Sequence, residues 1–137
     1  MTRYLNHCRS LILAAIVLLA AMAWAEPKLR TENGVSYISG GVSDDEQHAL
    51  EASGGHFNLK VTMALASGHF VSDVPVQIQD AHGKTVLDVV PDGPLLFVEL
   101  PPGAYTVRCN LKGQPQEHKV SVGAGKQQQL ACTWSSE

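Results

Sequence analysis

From His56 to Leu65 the chain alternates: Phe57, Leu59, Val61, Met63 and Leu65 occupy one parity, and His56, Asn58, Lys60, Thr62 and Ala64 the other. A period of two sustained over ten residues is that of a strand with one buried face, and no amphipathic helix shows it. The pattern returns in short runs down the chain. VPVQIQD repeats it with Val74, Val76 and Ile78, followed by KTVLDVV, LLFVEL, AYTVRCN, QEHKVSV and QQQLACTW. Turn signals separate the runs: Ala81-His82-Gly83-Lys84, Pro91-Asp92-Gly93-Pro94, Pro101-Pro102-Gly103, Lys112-Gly113 and Gly123-Ala124-Gly125. About seven short strands spaced in this way predict an all-β protein, an antiparallel β-sandwich.

Upstream of the strands lies one helix signal. Ser43-Asp44-Asp45-Glu46 fits a capping box, with the serine hydroxyl accepting from a first-turn amide and Glu46 reaching back to the cap. The acids also complement the positive end of the helix dipole. Ser53-Gly54-Gly55 closes the segment, so the expected helix runs from Asp44 to Ala52. VSYISGG precedes it. Glu26 to Asn33 is polar and reads as an exposed leader or a short first strand.

The first residues are expected to lie outside the fold. Met1 to Ser10 carries Arg3 and Arg9 and no acid, and Leu11 to Ala25 is an unbroken apolar run ending in Ala23-Trp24-Ala25. Basic start, apolar run and small-x-small end together describe a secretory signal peptide, residues 1–25, cleaved between Ala25 and Glu26. The run is 15 residues long, short of the ~20 needed to span a bilayer, so the mature form is not expected to be membrane-spanning. Cys8 precedes the apolar run, which disfavours a lipoprotein. The mature domain is then 26–137, a single domain that is periplasmic or secreted.

Loss of Arg3 and Arg9 leaves eight basic residues against 13 acidic ones, and the net charge moves from −3 to −5. With no basic run, nucleic acid is not expected as a partner. Export also removes Cys8, leaving Cys109 and Cys132 as an even pair in an oxidising compartment. Cys109 shares its strand face with Tyr105 and Val107, and Cys132 with Leu130 and Trp134, so both fall on apolar faces. A disulfide between them is expected. Without CxxC spacing, metal binding by this pair is disfavoured.

The segment from Val74 to Val122 resembles the carboxypeptidase regulatory-like, or transthyretin-like (prealbumin-like), domains of bacterial secreted proteins. The shared elements are a V-x-V strand (Val74 to Ile78), a D-x-x-G-K turn (Asp80 to Lys84), and a glycine and apolar run leading to L-P-P-G-x-Y-x-V (Gly93 to Val107). Upstream, GGVSDDEQHALEASGGHFNLKVTMA looks like the N-terminal part of stand-alone envelope members. The resemblance implies a transthyretin-like sandwich that serves as a non-catalytic accessory or binding module. A related branch, the hydroxyisourate hydrolases, is enzymatic. Its C-terminal Tyr-Arg-Gly-Ser signature is missing from this chain, which ends ACTWSSE.

Other candidate chemistry is thin. His48, His56, His69, His82 and His118 share no metal-binding motif, and His56 and His118 are assigned to polar parities of their strands. The Asp44-Asp45-Glu46 cluster lacks the mid-loop glycine of a calcium loop and is accounted for by capping. No G-x-S-x-G is present. Tyr105 and Trp134 have core parity, whereas Tyr37 and Phe70 are freer to contact a ligand. The sequence therefore predicts an exported module with a binding or structural role in the cell envelope, with no catalytic, cofactor or metal residues. Its partner is expected to be an envelope protein or a saccharide. Two alternatives stand beside it: a hydrolase of the hydroxyisourate type, and a small-ligand or metal carrier using His69 and the Ala66–Asp73 loop.

Overall fold

Two sheets face one another, and a helix covers the back of one of them. The computed structural model of the chain describes residues 27–136; the expected signal peptide and its Ala25–Glu26 junction lie outside the described residues. The elements are β1 (Arg30–Glu32), β2 (Val35–Gly40), α1 (Asp44–Gly54), β3 (Leu59–Leu65), β4 (Val76–Asp80) and β5 (Thr85–Val89), then β6 (Leu95–Glu99), β7 (Gly103–Leu111), β8 (Gln114–Val122) and β9 (Gln128–Trp134). One sheet has the order β1-β2-β6-β3-β9 and the other β5-β4-β7-β8. The all-β sandwich is the architecture that the alternation predicts.

The inward parities build the core. Leu59, Val61 and Met63 of β3 meet Val76, Ile78, Leu87, Val107 and Cys109 of the opposite sheet, and every one of these is fully buried. Solvent faces the other side of the four-stranded sheet, so its strands alternate cleanly. The five-stranded sheet does not have that freedom. Helix α1 packs Leu50 against Ile38, Phe57, Leu95 and Phe97 in a second cluster behind it. Consequently β6 buries Leu95, Leu96, Phe97 and Val98 in succession.

Several sequence expectations need correction. Nine strands are present among the described residues rather than about seven, because Asn33-Gly34 closes a β1–β2 hairpin, both residues having positive φ. That pairing is the type I′ geometry, which matches the twist of the flanking strands. The sandwich is not wholly antiparallel: β3 and β9 pair in parallel over seven residues, Leu59–Gln128 through Leu65–Trp134. β8 does not hand the chain to a neighbour in its own sheet. The Gly123–Lys126 turn carries it across to the other sheet, where β9 runs alongside β3. Tyr37, expected to be free for a ligand, is 8% exposed, because its face of β2 looks into the core.

The helix begins at Asp44 as expected, with the serine half of the capping box formed and no bond from the Ser43 amide to the Glu46 carboxylate among the described residues. Ser43 Oγ accepts from the Glu46 amide at 3.2 Å. It ends two residues beyond the predicted Ala52, at Gly54. A Cβ at Gly54 would sit 2.5 Å from the Phe97 ring, so glycine there permits close packing and does not break the helix. Gln127 Nε2 donates to the Gly54 carbonyl at 2.8 Å, beside the bond from the Phe57 amide at 3.1 Å, so this group at the helix end is satisfied twice.

Side chains close both open flanks of the sandwich. On one flank Glu32 Oε2 accepts from the Asp88 amide at 3.0 Å, joining the β1 edge to the β5 edge. On the other, the Gln116 side-chain amide donates to the Thr133 carbonyl and accepts from the Thr133 N–H, as a neighbouring peptide would. Trp134 Nε1 donates to the Gln114 carbonyl at 2.9 Å on the same flank. Cys109 and Cys132 lie there too, at disulfide distance, with Cα atoms 6.4 Å apart.

Candidate functional site

Among the described residues, the outward face of the four-stranded sheet is a broad surface that no other element covers. Register sets its composition. Gln77 of β4 lies opposite Asp88 of β5 and Arg108 of β7, and Arg108 lies opposite Glu117 of β8. The next row carries Gln79, Thr106 and Lys119. Beyond it Ala104 faces Ser121. Every side chain in the first two rows is of a type that can donate or accept a hydrogen bond.

A bulge shapes the β5 side of this face. Ile78 pairs with Leu87 but Gln79 pairs with Thr85, so Val86 is the extra residue and turns toward the core. Thr85 stays on the outer face, where its hydroxyl accepts from Gln77 Nε2 at 3.3 Å. The following turn is built by Asp80. Its Oδ1 accepts from the His82 and Lys84 amides at 2.9 and 3.0 Å, and Gly83 supplies the positive φ. The D-x-x-G-K stretch is thus an Asx turn with a structural task.

Two clefts open on the face. One, of about 400 Å³, lies beside the Asp80 turn, where Ala81 and Ala104 leave space next to Thr106, Lys119 and Ser121. The other, of about 240 Å³, is bounded by Pro75, Gln77, Asp88, Arg108 and Asn110. A third cleft, of about 290 Å³, lies at the end of the sandwich between His56, Glu99 and the Gly123–Lys126 turn. The polar groups beneath that third cleft are already engaged. Asn58, buried at 7% exposure, donates to the Leu100 carbonyl at 2.7 Å and accepts from the Leu100 amide at 2.9 Å. Gln127 donates to Gly54 and Phe57 carbonyls.

Tyr105 lies below the first cleft. Burial, and secondarily the negative charge of Asp80, raise its phenol above the ordinary value of 10.0. Its hydroxyl donates to the Pro101 carbonyl at 2.6 Å. Trp134 is buried too, at the other end of β8, where its indole bonds the Gln114 carbonyl, so neither aromatic is offered to a ligand.

The histidines are scattered. His48, His56, His69 and His82 are exposed on different elements. His69 Nδ1 lies 3.0 Å from Ser67 Oγ inside a tight turn, which the Leu65 amide closes by donating to the His69 carbonyl. Phe70 is half exposed beside it and pairs with Ala64. His118 departs from its expected polar parity: it shares the inward side of β8 with Val120 and Val122, and its Nε2 is buried without a partner. Among the described residues no group of three or more His, Cys, Asp or Glu side chains is placed to hold a metal ion. Nor, among them, is any helix long and apolar enough to cross a membrane. The polar face itself escaped the sequence reading, although the even-spaced Gln77, Gln79 and Thr106, Arg108 carried its signal.

No protein-family model and no curated protein matches the chain.

Proposed function

We propose that the protein is an exported, non-catalytic β-sandwich module of the bacterial cell envelope whose role is to bind an envelope constituent through the open face of its four-stranded sheet. One observation carries this reading. Several polar side chains are spent on bracing the fold: buried Asn58 ties β3 to the end of β6, half-buried Gln127 caps the helix, and Gln116 and Glu32 close the flanks. The hydrogen-bonding groups still turned to solvent in ordered rows are those of the outer face, Gln77, Gln79, Thr106, Arg108 and Lys119. A rigid sheet presenting such rows suits recognition, since its donors and acceptors are held in place before a ligand arrives. The leader and the cysteine pair fit an oxidising compartment outside the cytoplasm.

Cell fractionation with intact-mass analysis tests this reading. The expected species is released with the soluble envelope fraction, begins at Glu26 and carries no free thiol. A full-length cytoplasmic species with free Cys109 and Cys132 would overturn it.

A further inference from the structure

Two opposite charges line the 240 Å³ cleft without meeting. Asp88 and Arg108 flank Gln77 in one row, so their Cα atoms stand two strand spacings apart, about 9–10 Å. The Asp88 carboxylate takes part in none of the ion pairs found among the described residues, while its own backbone N–H is engaged by Glu32. Arg108 has one charged neighbour, Glu117, at 3.9 Å, which is beyond hydrogen-bond length. The guanidinium fork is therefore open on the side of the cleft. Asn110 and Gln77 complete the lining with amide groups that can both donate and accept, one Gln77 N–H being taken by Thr85.

We propose that this cleft is a binding site for a small zwitterion of the short-peptide class. Arg108 holds the ligand's carboxylate, for which its planar pair of N–H donors is matched. Asp88 holds the ligand's ammonium group. Gln77 and Asn110 take the intervening peptide group. Charge selects against the simpler alternatives: a dianion meets Asp88 and Glu117, and a dication meets Arg108. Size selects as well. The cleft is smaller than the roughly 300–1,000 Å³ of sites for drug-sized ligands. An extended dipeptide spans at most about 7 Å, shorter than the roughly 9–10 Å between the two Cα positions. A sugar chain would find no aromatic platform here, because the rows around the cleft carry amides, hydroxyls and charges.

This inference rests on reading the protein as a binding module, and its test separates the two. L-alanyl-L-alanine, its N-acetyl form and its C-terminal amide are titrated into the mature protein by calorimetry, with amide chemical shifts recorded in parallel. The free dipeptide is expected to bind saturably, with shifts centred on Gln77, Arg108 and Asn110. Arg108→Gln should weaken the free dipeptide about tenfold, the worth of one charge-assisted contact, and leave the weaker C-terminal amide unchanged. Asp88→Asn should do the same for the free dipeptide and leave the N-acetyl form unchanged. Both positions are exposed, so the thermal midpoints of the variants should stay at the wild-type value. Absence of saturable binding at millimolar concentrations, shifts centred elsewhere, or equal losses for all three probes would overturn the site. A folded envelope protein that ignores the dipeptide defeats this site and leaves the module reading standing. Release of free alanine would defeat the non-catalytic reading and not the site.

Discussion

The hydroxyl of Tyr105 donates to the carbonyl of Pro101, four residues back, at 2.6 Å. That bond spans the corner at which the chain leaves β6 in one sheet and enters β7 in the other. Two prolines restrict the corner's backbone and remove its donors, and Gly103 takes the positive φ that starts β7. The phenol then fastens the corner to the core strand it launches, the arrangement known from sandwich folds as a tyrosine corner. Tyr105→Phe keeps the ring and deletes the bond. The expected loss is about 1–1.5 kcal/mol, read as a lower urea midpoint with an unchanged slope.

The same residue makes stability fall in alkali. Burial and Asp80 raise the Tyr105 phenol above its ordinary value, so the unfolded chain gives up this proton at a lower pH than the folded one. Below about pH 10 both states hold it and the contribution is complete. As pH rises from there through the higher folded value, the unfolded state binds fewer protons and stability declines. Tyr105→Phe should therefore be less stable than wild type at neutral pH, yet lose less on going to pH 11. Parallel slopes of unfolding free energy against pH for the two proteins would contradict this.

Cys109 of β7 and Cys132 of β9, on strands of different sheets and 23 residues apart, lie at disulfide distance. In the chain-entropy view, closing a loop of this size stabilises by about 3 kcal/mol, a large share of a typical 5–15 kcal/mol total. The double Ser variant should fold with a clearly lowered midpoint or fail to accumulate. Thiol labelling of the unreduced, denatured protein should find no reactive sulfur. Two labelled cysteines would refute the bridge.

Much of this was legible because the outer faces of β4, β7 and β9 meet water. Alternation in β4, β7 and β9 marked Val76, Ile78, Val107, Cys109 and Cys132 as inward, and they are. Where the helix covers the second sheet both faces are apolar, so alternation vanishes in β6 and misleads at Tyr37. The β1–β2 hairpin had a readable Asn33-Gly34 turn, obscured because Arg30–Glu32 is a polar edge strand. The parallel β3–β9 pairing had no local signal at all, since it depends on where the chain lands after crossing between sheets. The row Asp88, Gln77, Arg108 was illegible for a related reason. Three strands contribute one residue each, and only register aligns them.

Gln116 supplies a test of how the flank is held shut. Its amide bonds both backbone groups of Thr133 on the free edge of β9, where an unpaired edge would otherwise be open to association. Gln116→Ala should cost about 1 kcal/mol, because the released groups can turn to water. Its clearer signature is local: hydrogen exchange at the Thr133 amide should accelerate well beyond the change at Val107 in the core. Equal acceleration at both sites would mean that the variant acts by global destabilisation and that the side chain does not seal this edge.

Gly54→Ala sets helix propensity against packing. In an exposed helix interior the change would gain about 1 kcal/mol, since alanine is the better helix former. Here the new methyl would lie 2.5 Å from the Phe97 ring, closer than carbon atoms approach without displacement. Phe97 has nowhere to go: it is 1% exposed, packed with Ile38, Leu50, Phe57 and Leu95, with Lys60 Nζ 5.5 Å from the centre of its ring. Overpacking at a fixed core position costs about 1–3 kcal/mol, which exceeds the propensity gain. The expected outcome is a net loss of stability, accompanied by displaced side-chain resonances for Phe97 and Leu50 and unshifted ones for Val107 in the other cluster. A variant as stable as wild type, or more so, would mean that the last turn of α1 is free to lift from the sheet, and that the glycine serves there only as a helix terminator.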